Sequence, residues 1–322
     1  MSTAVAIALM LGVLCYAVFA GADFGAGFWD LTAGGAERGR GPRAVIDHSL
    51  GPVWEANHTW LIYCLVVFWT GFPATFADVM RTLYLPLGLA ALGIVLRGSG
   101  FAFRKAVQAT SHQRLAGAAF AASSVVTPFF FGTVAGALAS GRVPGPAVTS
   151  WINPTSLLGG VLAVAVCAYL AAVLLTADAP AALTAYFRKR AWIAAWTTGV
   201  LSIAGIVVLR LDARRIFDRL LGPALPVALV SLVAGLLALV LLRRVSARLV
   251  RLLAGLAVAA LVVGWGVAQY PYLLGTHARI TDVAAPHSTQ VALIVIVAVA
   301  IALVGPSFAL LYTLQQRHLT EE

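Results

Sequence analysis

The sequence predicts an all-α polytopic membrane protein, and its composition and hydropathy pattern support this fold class. Of the 322 residues, 61% are hydrophobic and only 11% are charged, whereas charged residues make up about 25% of an ordinary soluble domain. Apolar stretches of about 20 residues, the length that crosses about 30 Å of hydrocarbon, recur along the whole chain. No connection between them is long enough for a soluble domain, so residues 1–322 are expected to form a single integral membrane domain.

Nine apolar segments are predicted to be transmembrane helices. Short connections favour antiparallel packing of helices that follow one another in the chain. The longest connection, residues 34–50, is rich in glycine and arginine and is expected to be a loop. The predicted segments are residues 3–33, 51–72, 75–98, 115–139, 154–176, 191–210, 222–242, 251–273 and 287–314.

The lysines and arginines predict the orientation of these helices. With the N-terminus outside, fifteen of them fall on the inner side, including Arg97 and Arg104, and seven fall on the outer side. Because basic residues favour the cytoplasmic side, we expect the N-terminus outside and the C-terminus in the cytoplasm. The exception is the outer connection 212–221, which carries several arginines. The net charge of +10 is therefore interpreted as basic loops near anionic lipid headgroups, not as a nucleic-acid surface.

A carboxylate at the head of the second segment is the main functional candidate. Glu55 precedes an uncharged run and shares a helix face with His58, three residues later. Ionisable groups in membrane helices are costly and usually functional, and a carboxylate removed from water can exchange protons near neutral pH. The alternative is a carboxylate in contact with headgroup water. Trp54 and Trp60 flank this stretch, and either can belong to an aromatic belt at the membrane interface.

A second carboxylate, Asp23, interrupts the first segment between Gly21 and Gly25. Small neighbours allow another helix to approach closely, so Asp23 is either a second proton-carrying group or a structural acid in a packing notch. Asp78 and Arg81, three residues apart, are interpreted as a local structural ion pair.

The chain offers few ligands for metals or haem. Cys15, Cys64 and Cys167 lie singly in apolar runs and suggest neither a disulfide framework nor a metal site. His58 is the only histidine within an apolar run, and no helix carries two histidines about four turns apart. Since bundle cytochromes hold haem through axial His or Met, we expect this chain to provide no axial ligand.

Three stretches are distinctive: GADFGAG at 21–27, GPVWEANHTWL at 51–61, which contains Asn57, and RGSGFAFR at 97–104. In their order and spacing they resemble subunit II of cytochrome bd-type quinol oxidases. Weaker matches follow at 153–154, 270–272 and 288–290. The resemblance touches the whole chain but is specific over its first third.

The resemblance implies nine helices, arranged as two four-helix bundles plus one peripheral helix, in a bacterial inner membrane. The first bundle would hold helices within 3–139, the second helices within 154–273, and 287–314 would be peripheral. It implies a heterodimer with a similar subunit I, which binds haem b and haem d, or b-type haem only, together with the quinol. A bound quinone, a small accessory subunit and membrane lipid are further expected partners.

The resemblance also assigns roles to particular residues. It implies that Glu55 lines a proton path and that Trp60 marks an oxygen entry. The residues themselves add Asp23 and His58 as candidate further members of the path. Structural or interface positions are expected for Trp54, Asn57, Asp78, Arg81, Arg97 and Arg104. Two departures stand out. Glu55 replaces the aspartate that is usual in the family, and Ala20 replaces an acid that usually precedes the first-helix glycine. These departures and the short late loops suggest a divergent branch, such as the cyanide-insensitive type.

Two other functions are compatible with the residues themselves. A secondary transporter also combines many helices with embedded acids and glycine-rich breaks near its substrate site. The third possible function is that of a structural subunit that only stabilises a partner. Copurification of a haem-containing partner distinguishes the oxidase from the transporter.

Overall fold

The computed structural model describes residues 1–50, 54–106, 110–242 and 247–321; within these ranges the side chains at 36, 50, 54–56, 101–106, 110–116, 247, 308–309 and 311–321 are not described. The described residues form thirteen helices and one short antiparallel hairpin of strands β1 and β2. In chain order these are α1 Ser2–Leu31, α2 Ala36–Leu50, α3 Trp54–Gly71, α4 Pro73–Thr82, α5 Tyr84–Ala106, α6 Thr110–Ala139, α7 Pro154–Asp178, α8 Ala181–Asp212, α9 Arg214–Leu220, α10 Leu225–Leu241, α11 Ala247–Gln269, β1 Tyr272–Leu274, β2 Ala278–Arg279, α12 Ile280–Val283 and α13 His287–Glu321.

Six of the described helices, α1, α6, α7, α8, α11 and α13, are long and apolar enough over their described parts to cross a membrane. Two bent pairs add one candidate span each: α3 with α4, bent by 120°, and α9 with α10, bent by 77°. The apolar part of α5, Tyr84–Gly100, is shorter. The described part of the chain thus has six to eight candidate spans by length and composition, which agrees with the predicted polytopic membrane protein.

The predicted loop 34–50 is wrong over most of its length, because residues 36–50 form helix α2. Gly39, Pro42 and Ile46 are buried at helical spacing, and this face packs against α1 and α7. The charged residues on the other face give α2 a polar average composition. The packing of one narrow face therefore stabilises this helix, and the composition of the segment alone does not predict it.

The third predicted segment, 75–98, is also wrong as one continuous helix. The structure has α4 over Pro73–Thr82 and α5 from Tyr84, separated at Leu83. Pro73 occupies the first turn of α4, where its missing N–H costs no hydrogen bond. The apolar run that looks continuous in sequence is therefore divided between two helices.

Helix α1 lies at the centre of the molecule and packs against α3, α6, α7 and α11. Its glycines make the closest of these contacts possible. A Cβ on Gly25 would lie 1.8 Å from the backbone oxygen of Cys167 on α7. The largest core cluster surrounds this contact and includes Trp29, whose indole N–H donates to Ala168 O at 2.8 Å.

Arginines organise the connections at the α7 N-terminal end. The carboxylate of Asp212 accepts from Arg142 at 2.6 and 3.1 Å and from the backbone N–H of Thr155 at 3.2 Å. Arg219 and Arg215 donate to Ala268 O at 2.7 Å and Gln269 O at 3.2 Å, at the C-terminus of α11. Positive side chains are favourable at this end of a helix. The arginines that depart from the charge rule thus have local structural partners.

Candidate functional site

A buried ion pair joins α1 to α5 in the first half of the chain. Arg97 donates from Nη2 to Asp23 Oδ1 at 2.7 Å and from Nε to Asp23 Oδ2 at 3.2 Å. Nη2 also donates to the backbone oxygen of Asp23 at 2.8 Å. Only 3% of Asp23 and 1% of Arg97 is exposed. Because both carboxylate oxygens accept from one guanidinium, this pair is geometrically fixed.

The remaining surroundings of Arg97 come from α6 and from two aromatic rings. Its Nη1 donates to Ser124 Oγ, and the guanidinium carbon lies 4.3 Å from the ring centre of Phe120 and 5.2 Å from that of Phe24. A Cβ on Gly27 would lie 2.0 Å from Ser124 Oγ and 2.8 Å from Arg97 Nη1. Glycine at position 27 therefore leaves the space that the guanidinium and the hydroxyl occupy.

The burial of Arg97 corrects its place in the charge count. It was expected among the inner-side loop cations, but it lies inside α5 and contacts an acid in α1. Its charge is neutralised within the helix bundle and carries no information about orientation. The remaining asymmetry, fourteen inner and seven outer basic residues, still favours the same orientation.

His58 and Asn57 place the start of α3 against α1. The His58 ring lies 6.2 Å from the ring of Tyr16 and 6.1 Å from that of Phe24, between ring centres. Asn57 is buried and donates to Phe19 O at 3.3 Å. The His58 ring thus lies beside the ring of Phe24, the residue that follows Asp23 in the chain. The fold therefore brings two predicted site residues, His58 and Asp23, into one region.

Three predicted residues have side chains outside the described part of the structure. Glu55 and Trp54 lie in the first turn of α3, and Arg104 lies near the end of α5. The backbone of α3 places Glu55 one helical turn before His58, so the predicted shared face agrees with the observed helix.

Trp60 is partly buried on α3, and its ring centre lies 6.0 Å from that of Tyr63. The Tyr63 hydroxyl donates to Ala8 O on α1 at 3.0 Å. A Cβ on Gly12 would lie 2.4 Å from the Tyr63 ring. These contacts connect Trp60 to the α1–α3 contact through Tyr63.

The predicted pair of Asp78 and Arg81 is wrong. Both residues lie on α4, Asp78 partly buried and Arg81 exposed. The ion pairs among the described side chains do not include one between them. Exposed pairs at this spacing contribute little, because water competes for both charges.

Sequence reasoning missed the partners of Asp23. The sequence places Arg97 only among structural or interface residues, and it gives no role to Ser124, Phe120 or Phe24. A signal did exist in the predicted fourth segment, where Ser124 and Thr127 follow each other at helical spacing and are both buried. Polar side chains on one face of a membrane helix usually point to the bundle interior.

The model of the family "Cytochrome bd terminal oxidase subunit II" matches residues 1–315. The chain belongs to this family. Its "Cytochrome bd ubiquinol oxidase subunit 2" relative from Bacillus subtilis is 27% identical over 233 residues, which cover 70% of this chain and 67% of the relative. "Cytochrome bd-I ubiquinol oxidase subunit 2" from Escherichia coli K12 is 26% identical over 215 residues, which cover 62% of this chain and 56% of the relative.

The fold resembles a chain in the structure of bd oxidase from Geobacillus thermodenitrificans, with a TM-score of 0.83. The match covers 97% of this chain and 98% of that chain at 24% identity. Family membership makes this protein a subunit of a quinol oxidase complex that contains haem and a subunit I. It excludes the secondary transporter that the embedded acids also suggested.

Proposed function

We propose that the complex containing this chain oxidises quinol and reduces O₂ to water, and that this chain supports the haem-bearing subunit I. The match of the family model over residues 1–315 carries this proposal. Subunit I holds haem b and haem d, or b-type haem only, and this chain supplies no axial ligand. Quinol and O₂ are the substrates of the complex, a small accessory subunit completes it, and it lies in a bacterial inner membrane.

The proposed topology has nine spans, with α5 completing the set as a short span. The N-terminus is outside and the C-terminus is cytoplasmic. Contacts between connections support the alternation: Arg190 donates to Thr32 O at 2.9 Å on the proposed inner side. On the proposed outer side, the backbone N–H of Ala285 donates to Gly71 O at 2.9 Å. Connections assigned to one side thus contact each other.

The proposed bundles are α1, α3, α5 and α6, then α7, α8, α10 and α11, with α13 peripheral. The contacts of α5 with α6 and of α10 with α11 agree with this division. Helix α13 contacts α1 and α3. The contacts of α1 with α7 and α11 join the two bundles.

The proposed proton path begins at Glu55 and continues past His58. O₂ reduction consumes protons, and groups along the path must bind and release them. A carboxylate and an imidazole one turn apart on α3 provide two such groups. Asp23 lies next to this region in an ion pair, in which both of its carboxylate oxygens accept from Arg97.

Trp60 is proposed to border the passage through which O₂ enters. O₂ has no polar groups and partitions into apolar spaces between helices. The contact of Trp60 with Tyr63 places its ring beside the α1–α3 packing, where a smaller side chain opens space.

Purification through a tag on this chain tests the proposed function. The expected result is a heteromeric complex with a haem absorption spectrum and O₂ consumption driven by a reduced quinol. This chain expressed alone is expected to show no stoichiometric haem Soret band. A haem-free homo-oligomer, or a full Soret band on the isolated chain, contradicts the proposal.

A further inference from the structure

Three consecutive cations, Arg188, Lys189 and Arg190, lie where α8 enters its long apolar stretch. Helix α8 has 32 residues and is therefore about 48 Å long, whereas the hydrocarbon layer is about 30 Å thick. If the apolar stretch from residue 191 fills this layer, the three cations lie at headgroup level.

The guanidinium of Arg190 is bound by neighbouring groups of the protein. Its Nη2 donates to Thr32 O at 2.9 Å and to the hydroxyl of Tyr186. Its guanidinium carbon lies 4.0 Å from the ring centre of Tyr186 and 5.1 Å from that of Trp29. These contacts fix this turn of α8 against the end of α1.

The two neighbouring cations differ from Arg190. Arg188 is partly buried and Lys189 is exposed, and the described side-chain hydrogen bonds include none from either residue like those that Arg190 donates from Nη2. Among the described side chains, neither forms an ion pair, while nearby Asp30 and Asp178 pair with Arg43 and Arg251. This turn therefore carries positive charge that no described carboxylate neutralises.

Two exposed tryptophans follow on the same helix face. Trp192 and Trp196, 37% and 52% exposed, lie one and two turns after Arg188, and their ring centres are 6.0 Å apart. Val200 continues this face and is 59% exposed. Cations followed by tryptophans and then by aliphatic side chains match the order of phosphate, glycerol and acyl chain in a phospholipid.

We propose that Arg188 and Lys189 bind the phosphate of an anionic phospholipid of the inner leaflet, whose acyl chain lies along Trp192, Trp196 and Val200. The arginine fork and the ammonium group both suit phosphate. The net negative charge of the lipid complements the uncompensated turn. This site is separate from the proposed proton path and gives one membrane lipid a defined place and headgroup charge.

Native mass spectrometry of the delipidated complex, titrated with phosphatidylglycerol or phosphatidylcholine, tests the site. Each basic residue near a membrane surface contributes about 1 kcal/mol, so Arg188→Gln with Lys189→Gln should weaken phosphatidylglycerol binding about thirtyfold. The matched control removes two exposed cations near the other end of α8, Arg210→Gln with Arg214→Gln, and should leave this affinity unchanged.

A charge-keeping exchange, Arg188→Lys with Lys189→Arg, should retain most of the affinity for phosphatidylglycerol. Equal weakening in the control variant, unchanged affinity in the Gln variant, or equally tight phosphatidylcholine binding would overturn the proposal. Inorganic phosphate should not displace the lipid at millimolar concentration. Complete displacement by it would identify a free-phosphate site and contradict the assignment to a lipid.

Discussion

At the scale of single residues, the ion pair of Asp23 and Arg97 has the clearest physical consequence. Removing one partner of a buried pair leaves the other charge without compensation in an apolar environment, which costs about 3–5 kcal/mol. Asp23→Asn should therefore lower the thermal midpoint of the purified complex strongly. Arg97→Gln should do the same, because it leaves the buried carboxylate of Asp23 without its cationic partner.

The double variant distinguishes a structural Asp23 from a proton carrier. Asp23→Asn combined with Arg97→Gln removes both charges and should recover part of the stability lost in either single variant. If Asp23 is structural, this variant turns over quinol at a rate close to the wild type. Stable assembly with abolished turnover would instead return Asp23 to the proton path.

Glu55→Gln tests the proposed proton entry. Glutamine keeps the shape and hydrogen bonding of the side chain but does not titrate. The complex should therefore assemble with normal haem content, and its turnover should be much slower than that of the wild type. Glu55→Asp is the matched control and should retain much of the activity. A Gln variant with the wild-type rate of quinol-driven O₂ consumption would show that Glu55 is not an obligatory proton carrier.

Trp60→Leu tests the proposed oxygen access. A smaller apolar side chain next to Tyr63 should change the apparent KM for O₂ while the haem spectrum stays the same. Stopped-flow O₂ binding and respiration at low O₂ measure this change. An unchanged O₂ dependence would place Trp60 in the aromatic belt at the membrane interface.

At the scale of helices, the approach of α1 to α7 depends on one missing side chain. The Cβ of Gly25→Ala would overlap the backbone oxygen of Cys167, 1.8 Å away, and backbone atoms cannot rotate aside. Overpacking costs about 1–3 kcal/mol, so the thermal midpoint of the complex should fall. Gly21→Ala is the control on the same helix, because its Cβ would lie 3.5 Å from Leu170 in ordinary contact. Equal stability of both variants would contradict the close packing.

At the scale of the whole molecule, the topology is open to a direct test. A reporter that is active only in the periplasm should be silent when fused after Arg317, if nine spans begin with the N-terminus outside. The same reporter fused within the connection 140–153 should be active. Activity of both fusions would require an even number of spans, and activity at Arg317 with a silent fusion at 140–153 would reverse the orientation.

The sequence by itself determined the membrane class, the approximate position of most long helices and the family resemblance. These properties depend on local composition: about 20 apolar residues require a helix in lipid, because backbone groups there have no water to bond. Short motifs around Asp23 and Glu55 were enough for the resemblance, because their glycines, acids and aromatic residues occur in a specific order.

Only the tertiary structure decided which side chains meet. Arg97 lies 74 residues after Asp23, and nothing local distinguishes it from the basic residues of the connections. Helix α2 depends on burial against α1 and α7, and the hydropathy of residues 75–98 does not mark the break at Leu83 between α4 and α5. Such outcomes are set by contacts between distant segments, whose geometry is not encoded in the hydropathy of either segment alone.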